Sequence, residues 1–238
     1  MLSGSIPFVL YVRFLAGDQS ALRDRQVRTM LALLGVVILV LGTGLTMTGE
    51  YALEPAFRYA AFNTVSVVTT TGYATTDYGA WGNAAVGLFF VLMFAGGCTG
   101  STSGGIKIFR LEVMAIMLAA QFKRLLYPRG VFLRSYGERR LDDDIINSVV
   151  AFIAVFFLCY AALMMALMAF GLDFLTSSSA AVTALSNVGP GLGDIIGPAG
   201  TFAPLPDGAK WLLSFGMLLG RLELFTLLIL FIPRFWRG

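Results

Sequence analysis

Two short strings in this 238-residue chain place a glycine among uncharged side chains and leave the backbone as the reactive surface. One is Thr70, Thr71, Gly72 and Tyr73; the other is Asn187, Val188, Gly189 and Pro190. Neither offers a nucleophile beside a base or a pair of carboxylates. Both offer carbonyl oxygen. In an extended turn, consecutive carbonyls can face one axis and replace a cation's hydration shell. Glycine supplies the backbone angles that aim them. The carbonyls of Thr70, Thr71, Gly72, Asn187, Val188 and Gly189 are therefore the expected cation ligands. A third string, AGGCTGSTSGG at 95–105, holds Gly96, Gly97, Gly100, Gly104 and Gly105 beside Thr99, Ser101, Thr102 and Ser103. Glycine costs about 1 kcal/mol per helical position. This string is expected to be a polar, non-helical break, short enough to obstruct or clear a path. Gly100 and Gly105 have the spacing of a phosphate-binding loop, but Ile106 stands where that loop needs lysine. The chain has no histidine, the commonest metal ligand and general base. Cys98 and Cys159 lack CxxC spacing and read as free thiols. Neither an enzyme nor a bound cofactor is expected.

The elements that must hold these strings are set by hydropathy. The chain is 57% hydrophobic and 13% charged, against about 25% charged in a soluble domain. That composition excludes a soluble enzyme and a disordered chain. Residues 29–49, 78–106 and 145–172 carry no charge, and 211–233 carries only Arg221 and Glu223. A bilayer span needs about 20 mostly apolar residues, so four crossings are expected. Arg13, Arg23, Arg25 and Arg28 precede the first crossing. Seven basic residues from Arg110 to Arg140 surround the middle connection, and Arg234 and Arg237 end the chain. The other side holds only Arg58 and Lys210. The positive-inside rule makes the basic side and both termini cytoplasmic. The net charge of +3 is thus a topology signal and not a nucleic-acid footprint. The first thirty residues lack the form of a secretory signal.

Between crossings lie two shorter segments, 54–70 and 176–187, the second expected to be capped by Ser177 or a neighbour. Each ends at a glycine turn, and each is followed by a span expected to begin at a tryptophan, Trp81 or Trp211. The order of span, short helix, glycine turn and span therefore occurs twice. Non-helical backbone at membrane depth is tolerated only when buried in protein or lining a water-filled cavity. The fold class is accordingly all-α integral membrane, with two span–pore-helix–span repeats and re-entrant pore helices. Each short helix would direct the negative end of its dipole toward the ion. Arg221 lies in the last span, where a charge faces the interior or an aqueous path. Aligning Met93 with Met217 sets Gly97 on Arg221, at the depth of the glycine-rich break. Arg221 is expected there to donate hydrogen bonds to that break or to repel cations.

Taken together, TTTGYATTDYGAWG, MFAGGCTGSTSGGIKIFR, ALSNVGPGLG and AKWLLSFGMLLGRLELFTLLILFIPRFW resemble the TrkH/KtrB/HKT superfamily of potassium transporters, closest to its TrkH branch. The resemblance covers essentially the whole chain. It implies four such repeats around one pore, each giving a filter strand with a glycine, of which this chain supplies the third and fourth. It makes 70–73 and 187–190 potassium-filter strands and potassium the transported ion. It makes 95–105 the intramembrane gating loop, with Gly96, Gly97, Gly100, Ser101, Thr102, Gly104, Gly105 and the pore-facing Arg221 as gating residues. The organisation that follows is a cytoplasmic tail of a preceding repeat (1–28), a repeat of the third type (29–127), a cytoplasmic linker (128–144) and a repeat of the fourth type (145–238). The linker, mixing basic residues with Glu138, Asp142, Asp143 and Asp144, reads as a solvated connection or a docking surface. The resemblance further implies a bacterial cytoplasmic (inner) membrane, a homodimer and a cytosolic nucleotide-binding regulatory partner like TrkA. Half a filter cannot encircle an ion. The chain therefore reads as a C-terminal fragment, completed by the missing first two repeats or by a second copy. The competing readings are an ion-coupled secondary transporter, with Glu223 as the main coupling candidate, and an inactive truncated subunit.

Overall fold

The computed structural model describes the chain except for residues 19–23, 129, 131–133, 138, 223 and 237–238. Arg23, Arg129, Glu138 and Arg237, used above to read topology and the linker, lie outside the described residues, as does Glu223.

Helices α1 (Leu2–Ser5) and α2 (Phe8–Leu15) are separated at Pro7, which has no amide to continue a helix. Helix α3 (Arg25–Met47) starts at Asp24, whose carboxylate accepts from the Val27 amide at 3.2 Å. At 1.5 Å per residue its 23 residues reach about 35 Å, enough for a hydrocarbon core of about 30 Å. Met30, Leu34, Val37, Leu41 and Leu45 recur at helical spacing and form its buried stripe. The stripe faces α4 (Leu53–Val68), and Gly42 lets the Phe57 ring approach: a Cβ there would lie 2.7 Å from it. Leu31, Val36, Leu39 and Val40 remain on the outside, as suits a helix whose other face meets lipid.

Helix α7 (Asp143–Ala169) is the second helix long and apolar enough to cross a bilayer unaided. The other two expected spans are broken. After a 3-10 turn at Tyr78–Ala80, helix α5 (Asn83–Leu92) runs for only ten residues before the glycine-rich break, and α6 (Ile108–Leu126) follows it. Hydropathy predicts a last span continuous from Trp211 to Pro233. The structure has instead α9 (Asp207–Arg221), which ends before Leu222, and the short α10 (Leu224–Leu228), followed by 3-10 turns. The helices begin at Asn83 and Asp207 rather than at the tryptophans.

Helix α8 (Phe174–Ser186) lies between α7 and α9, and every residue from Thr176 to Ser186 is buried. Its Ser and Ala side chains permit this close packing. The cap is Asp173 and not Ser177: the Asp173 carboxylate accepts from the Thr176 amide at 3.0 Å. Hydrogen bonding by the Thr176 side chain and amide holds the Asp173 carboxyl below its usual range. A depressed acid stabilises above its unfolded value, about 3.9, and that contribution is lost as pH falls through the folded value. Asp173→Ala should therefore cost about 1 kcal/mol at neutral pH, with the gap to wild type closing below about pH 4. Thermal melting of both proteins against pH checks this. A gap of constant size would show that the carboxylate charge is not responsible.

The connection between α6 and α7 carries a small antiparallel hairpin, β1 (Ser135–Tyr136) with β2 (Arg139–Arg140), pairing Ser135 with Arg140 and Tyr136 with Arg139. Among the described residues it is the only β-sheet, beside a single parallel bridge between Ala95 and Ile106. The hairpin is fastened to the helices through Glu112, which is 7% exposed. Glu112 accepts from the Thr29 hydroxyl at 2.6 Å and from the Tyr136 hydroxyl at 2.5 Å, and pairs with the Arg25 Nε at 3.3 Å. The Arg25 guanidinium also sits 5.1 Å from the Tyr136 ring centroid. Burial and the Glu112 carboxylate both push the Tyr136 hydroxyl pKa upward. The start of α3, the N-terminal part of α6 and the linker hairpin thus meet at one buried carboxylate.

Candidate functional site

The two glycine strings end their helices in the same way. The Thr70 amide bonds the Val67 carbonyl at 3.0 Å and the Thr71 amide bonds Ser66 at 2.9 Å. In the other repeat the Asn187 amide bonds Ala184 at 3.2 Å and the Val188 amide bonds Thr183 at 3.0 Å. Thr70 and Asn187 have φ of 53° and 55°, the left-handed position that closes a helix. The expected extended turn therefore begins one residue later in each string. Asparagine tolerates that conformation. A β-branched threonine there is an outlier of the kind that concentrates at functional sites. Gly72 and Gly189 follow at equivalent places with φ of 79° and 122°.

The turns meet. A Cβ on Gly72 would lie 2.3 Å from the Val188 carbonyl oxygen, and one on Gly189 would lie 3.3 Å from the Gly72 Cα. Val188 is buried, Thr70, Gly72, Asn187 and Pro190 are half-buried, and Thr71, Tyr73 and Gly189 are exposed. Each short helix holds its departing chain with polar side chains that sequence reading missed. Buried Asn63 accepts from the Thr75 amide at 3.2 Å and donates to the Thr76 hydroxyl at 3.1 Å. Thr183 accepts from the Gly189 amide at 3.0 Å, and Ser179 from the Leu192 amide at 2.9 Å. The available signal was polar residues on the inner faces of otherwise apolar short helices.

The glycine-rich string forms a closed loop. The Gly96 amide bonds the Ile106 carbonyl and the Ile106 amide bonds Phe94, both at 2.9 Å. The loop is fixed to the first turn: the Ser103 hydroxyl donates to the Thr69 carbonyl at 3.1 Å, and the Gly104 amide to the Thr70 hydroxyl at 2.9 Å. It is fixed to the second by proximity, since a Cβ on Gly104 would lie 2.0 Å from the Ser186 carbonyl oxygen. The start of the chain covers another side. The Cys98 amide bonds the Ser5 carbonyl at 2.9 Å, the Thr102 amide bonds Gly4 at 3.1 Å, and the Phe8 amide bonds Gly100 at 3.2 Å. Nothing in the first thirty residues signalled that role.

Arg221 is the last residue of α9 and is exposed, not buried inside a continuous span. Its Nη1 donates to the Thr102 carbonyl at 2.7 Å. Gly220 beside it brings α9 onto the end of α8: a Cβ there would lie 1.8 Å from the Leu185 carbonyl oxygen. A cavity of about 400 Å³ lies against the loop and is bordered by Lys107, Arg110, Phe152 and Arg221. The Arg110 guanidinium stands 3.7 Å from the Phe152 ring centroid, within cation–π range. All the expected gating residues lie in this loop or at its edge, and the loop touches both glycine turns. The arrangement combines carbonyl-rich turns, a glycine loop against them, and cationic side chains beside the loop.

Comparison with known proteins matches this architecture. The TrkH family of cation transport proteins matches residues 26–237. The Trk system potassium uptake protein TrkI of Halomonas elongata is 55% identical over 238 residues, all of this chain and 48% of that protein. The TrkH protein of the same organism is 35% identical over 90% of this chain and 44% of its own length. The crystal structure of the potassium transporter TrkH from Vibrio parahaemolyticus superimposes with a TM-score of 0.91 at 35% identity, covering 99% of this chain and 51% of that one. The chain spans about half the length of these relatives. The helical membrane fold is thus that of the solved transporter, and the chain belongs to the TrkH family of cation transport proteins.

Proposed function

We propose that this chain forms two adjoining arms of a channel-like potassium uptake pathway in the bacterial cytoplasmic membrane. The observation that carries the reading is the meeting of Gly72 and Gly189, with the Val188 carbonyl oxygen close against Gly72. Backbone oxygen at adjoining glycine turns is what dehydrating a potassium ion requires. Residues 70–73 and 187–190 serve as filter strands held by re-entrant helices α4 and α8. The loop 95–105 is the gate, secured by Arg221 through Thr102 and released when that bond breaks. The remaining arms come from repeats outside this chain or from a second copy. The linker hairpin, tied to α6 through Glu112, is the route by which a cytosolic nucleotide-binding partner would act on the gate. The names of the relatives, potassium uptake proteins of Trk systems, support this ion over others.

Growth of a potassium-uptake-deficient bacterium at low potassium tests the reading. Cells expressing this chain together with the first two repeats of a family member should grow. Cells expressing it alone should grow only if two copies close the ring. Verified membrane insertion without growth in either case would reject the proposed transport role.

A further inference from the structure

Three successive carbonyls of the glycine-rich loop each accept from a cation carried on the chain. Lys107 Nζ donates to the Ser101 carbonyl at 3.2 Å and to the Ser103 carbonyl, while Arg221 takes the Thr102 carbonyl between them. Lys107 follows the last glycine of the loop by two residues and is the N-cap of α6, so its backbone is fixed where the loop ends. Lys107 is half-buried and Ser103 is buried. The ammonium therefore relies on these carbonyls for part of the solvation it gave up.

An ammonium group and an alkali-metal ion ask the same of such a place: unit positive charge met by backbone oxygens in place of water. Lysine's head is a compact point charge on a flexible stem, able to swing away, unlike the planar fork of arginine. The cavity of about 400 Å³ beside the loop gives an ion access and the lysine room to leave. We propose that the Ser101 and Ser103 carbonyls form a monovalent-cation site on the gating loop, that Lys107 fills it as a tethered occupant, and that a transported ion competes with Lys107 for it. This rests on reading 95–105 as a gate in a cation pathway. Its consequence is a loop whose hold depends on the ion it controls: an ion that displaces Lys107 removes that side-chain tie between α6 and the loop, leaving the bond from the Ile108 amide to the Gly97 carbonyl.

The test is amide hydrogen exchange over 99–106 in the full chain in lipid nanodiscs, in potassium and in N-methyl-D-glucamine at equal ionic strength. Wild type should exchange faster in potassium, where an ion competes with Lys107, and Lys107→Arg should exchange alike in both solutions. Lys107→Met should exchange about tenfold faster without potassium, as expected from losing charge-assisted hydrogen bonds. Potassium should restore its protection, because the ion replaces the lost charge. Faster exchange that potassium does not correct would make Lys107 a structural prop and overturn the proposal; so would a methionine variant indistinguishable from wild type. Lys107→Gln, uncharged but able to donate, gives the same comparison if the methionine variant does not insert. The same spectra report 70–73 and 187–190. Potassium-dependent protection there in wild type, with no potassium effect on the variant's loop, would sink this inference and leave the filter reading intact. Loss of potassium response in the filter strands alone would do the reverse.

Discussion

In Gly104→Ala the glycine-rich loop is expected to leave its seat, with a stability loss of about 1–3 kcal/mol and faster amide exchange throughout 99–106. The new Cβ would lie 2.0 Å from the Ser186 carbonyl oxygen and 2.9 Å from its carbon. Those are backbone atoms at the end of a helix buried along its length, so they cannot swing aside as a side chain can. Moving the loop instead would stretch the Gly104 amide from the Thr70 hydroxyl and Ser103 from the Thr69 carbonyl. Gly35→Ala is the internal contrast. Gly35 lies in α3 with nothing within 4 Å of its added Cβ, so alanine should gain about 0.5–1 kcal/mol. Thermal melting of the two variants should therefore move in opposite directions. A Gly104→Ala protein as stable as wild type, with an unaltered exchange pattern, would show that the fit at Ser186 has slack.

Gly72→Ser is expected to lose potassium-over-sodium discrimination by about tenfold or more, the equivalent of about 1.4 kcal/mol, in an assembled transporter. Two costs coincide at this residue. Its φ of 79° is one that side chains rarely adopt, and its Cβ would lie 2.3 Å from the Val188 oxygen and 3.3 Å from Pro190 Cδ. The serine must push the two turns apart or rotate its own carbonyl, and in the proposed filter either change alters the oxygens offered to a dehydrated ion. Gly189→Ser meets the same partner from the other side, with Gly72 Cα at 3.3 Å. It should impair discrimination in the same direction and less severely, because no backbone oxygen stands as close. Relative sodium and potassium flux into vesicles gives the ratio. A wild-type ratio in both variants would remove these turns from the selectivity mechanism.

Much of this site is legible in the residues alone. Each glycine turn follows a short polar-faced segment between apolar runs, and the repetition aligns Thr70 with Asn187 and Gly72 with Gly189. The break at 95–105 is legible because five glycines in eleven residues oppose a helix whatever surrounds them. Aligning the two halves places Arg221 level with that loop. Other features are not legible in this way. Residue type offers Ser177 or a neighbour as the cap of α8, and Asp173 performs it, since several nearby residues have equal capping chemistry and only geometry separates them. Hydropathy joins the last span into one helix, yet α9 stops at Arg221, for a helix end inside an apolar run leaves no trace in hydropathy. Lys107 and Glu112 have no visible role until their partners are seen.

The sequence by itself determined the class of the molecule, its apolar helices, the positions of its turns and the place where one span breaks. These follow from burial preference and backbone freedom, properties a residue carries with it. Only the tertiary structure decided which atoms meet. Thr70 and Gly104 are 34 residues apart, Glu112 and Thr29 are 83, and Arg221 and Thr102 are 119. No local propensity links residues at such separations. Their pairing is fixed when buried helices bring their ends together and these polar groups, taken out of water, meet their partners there.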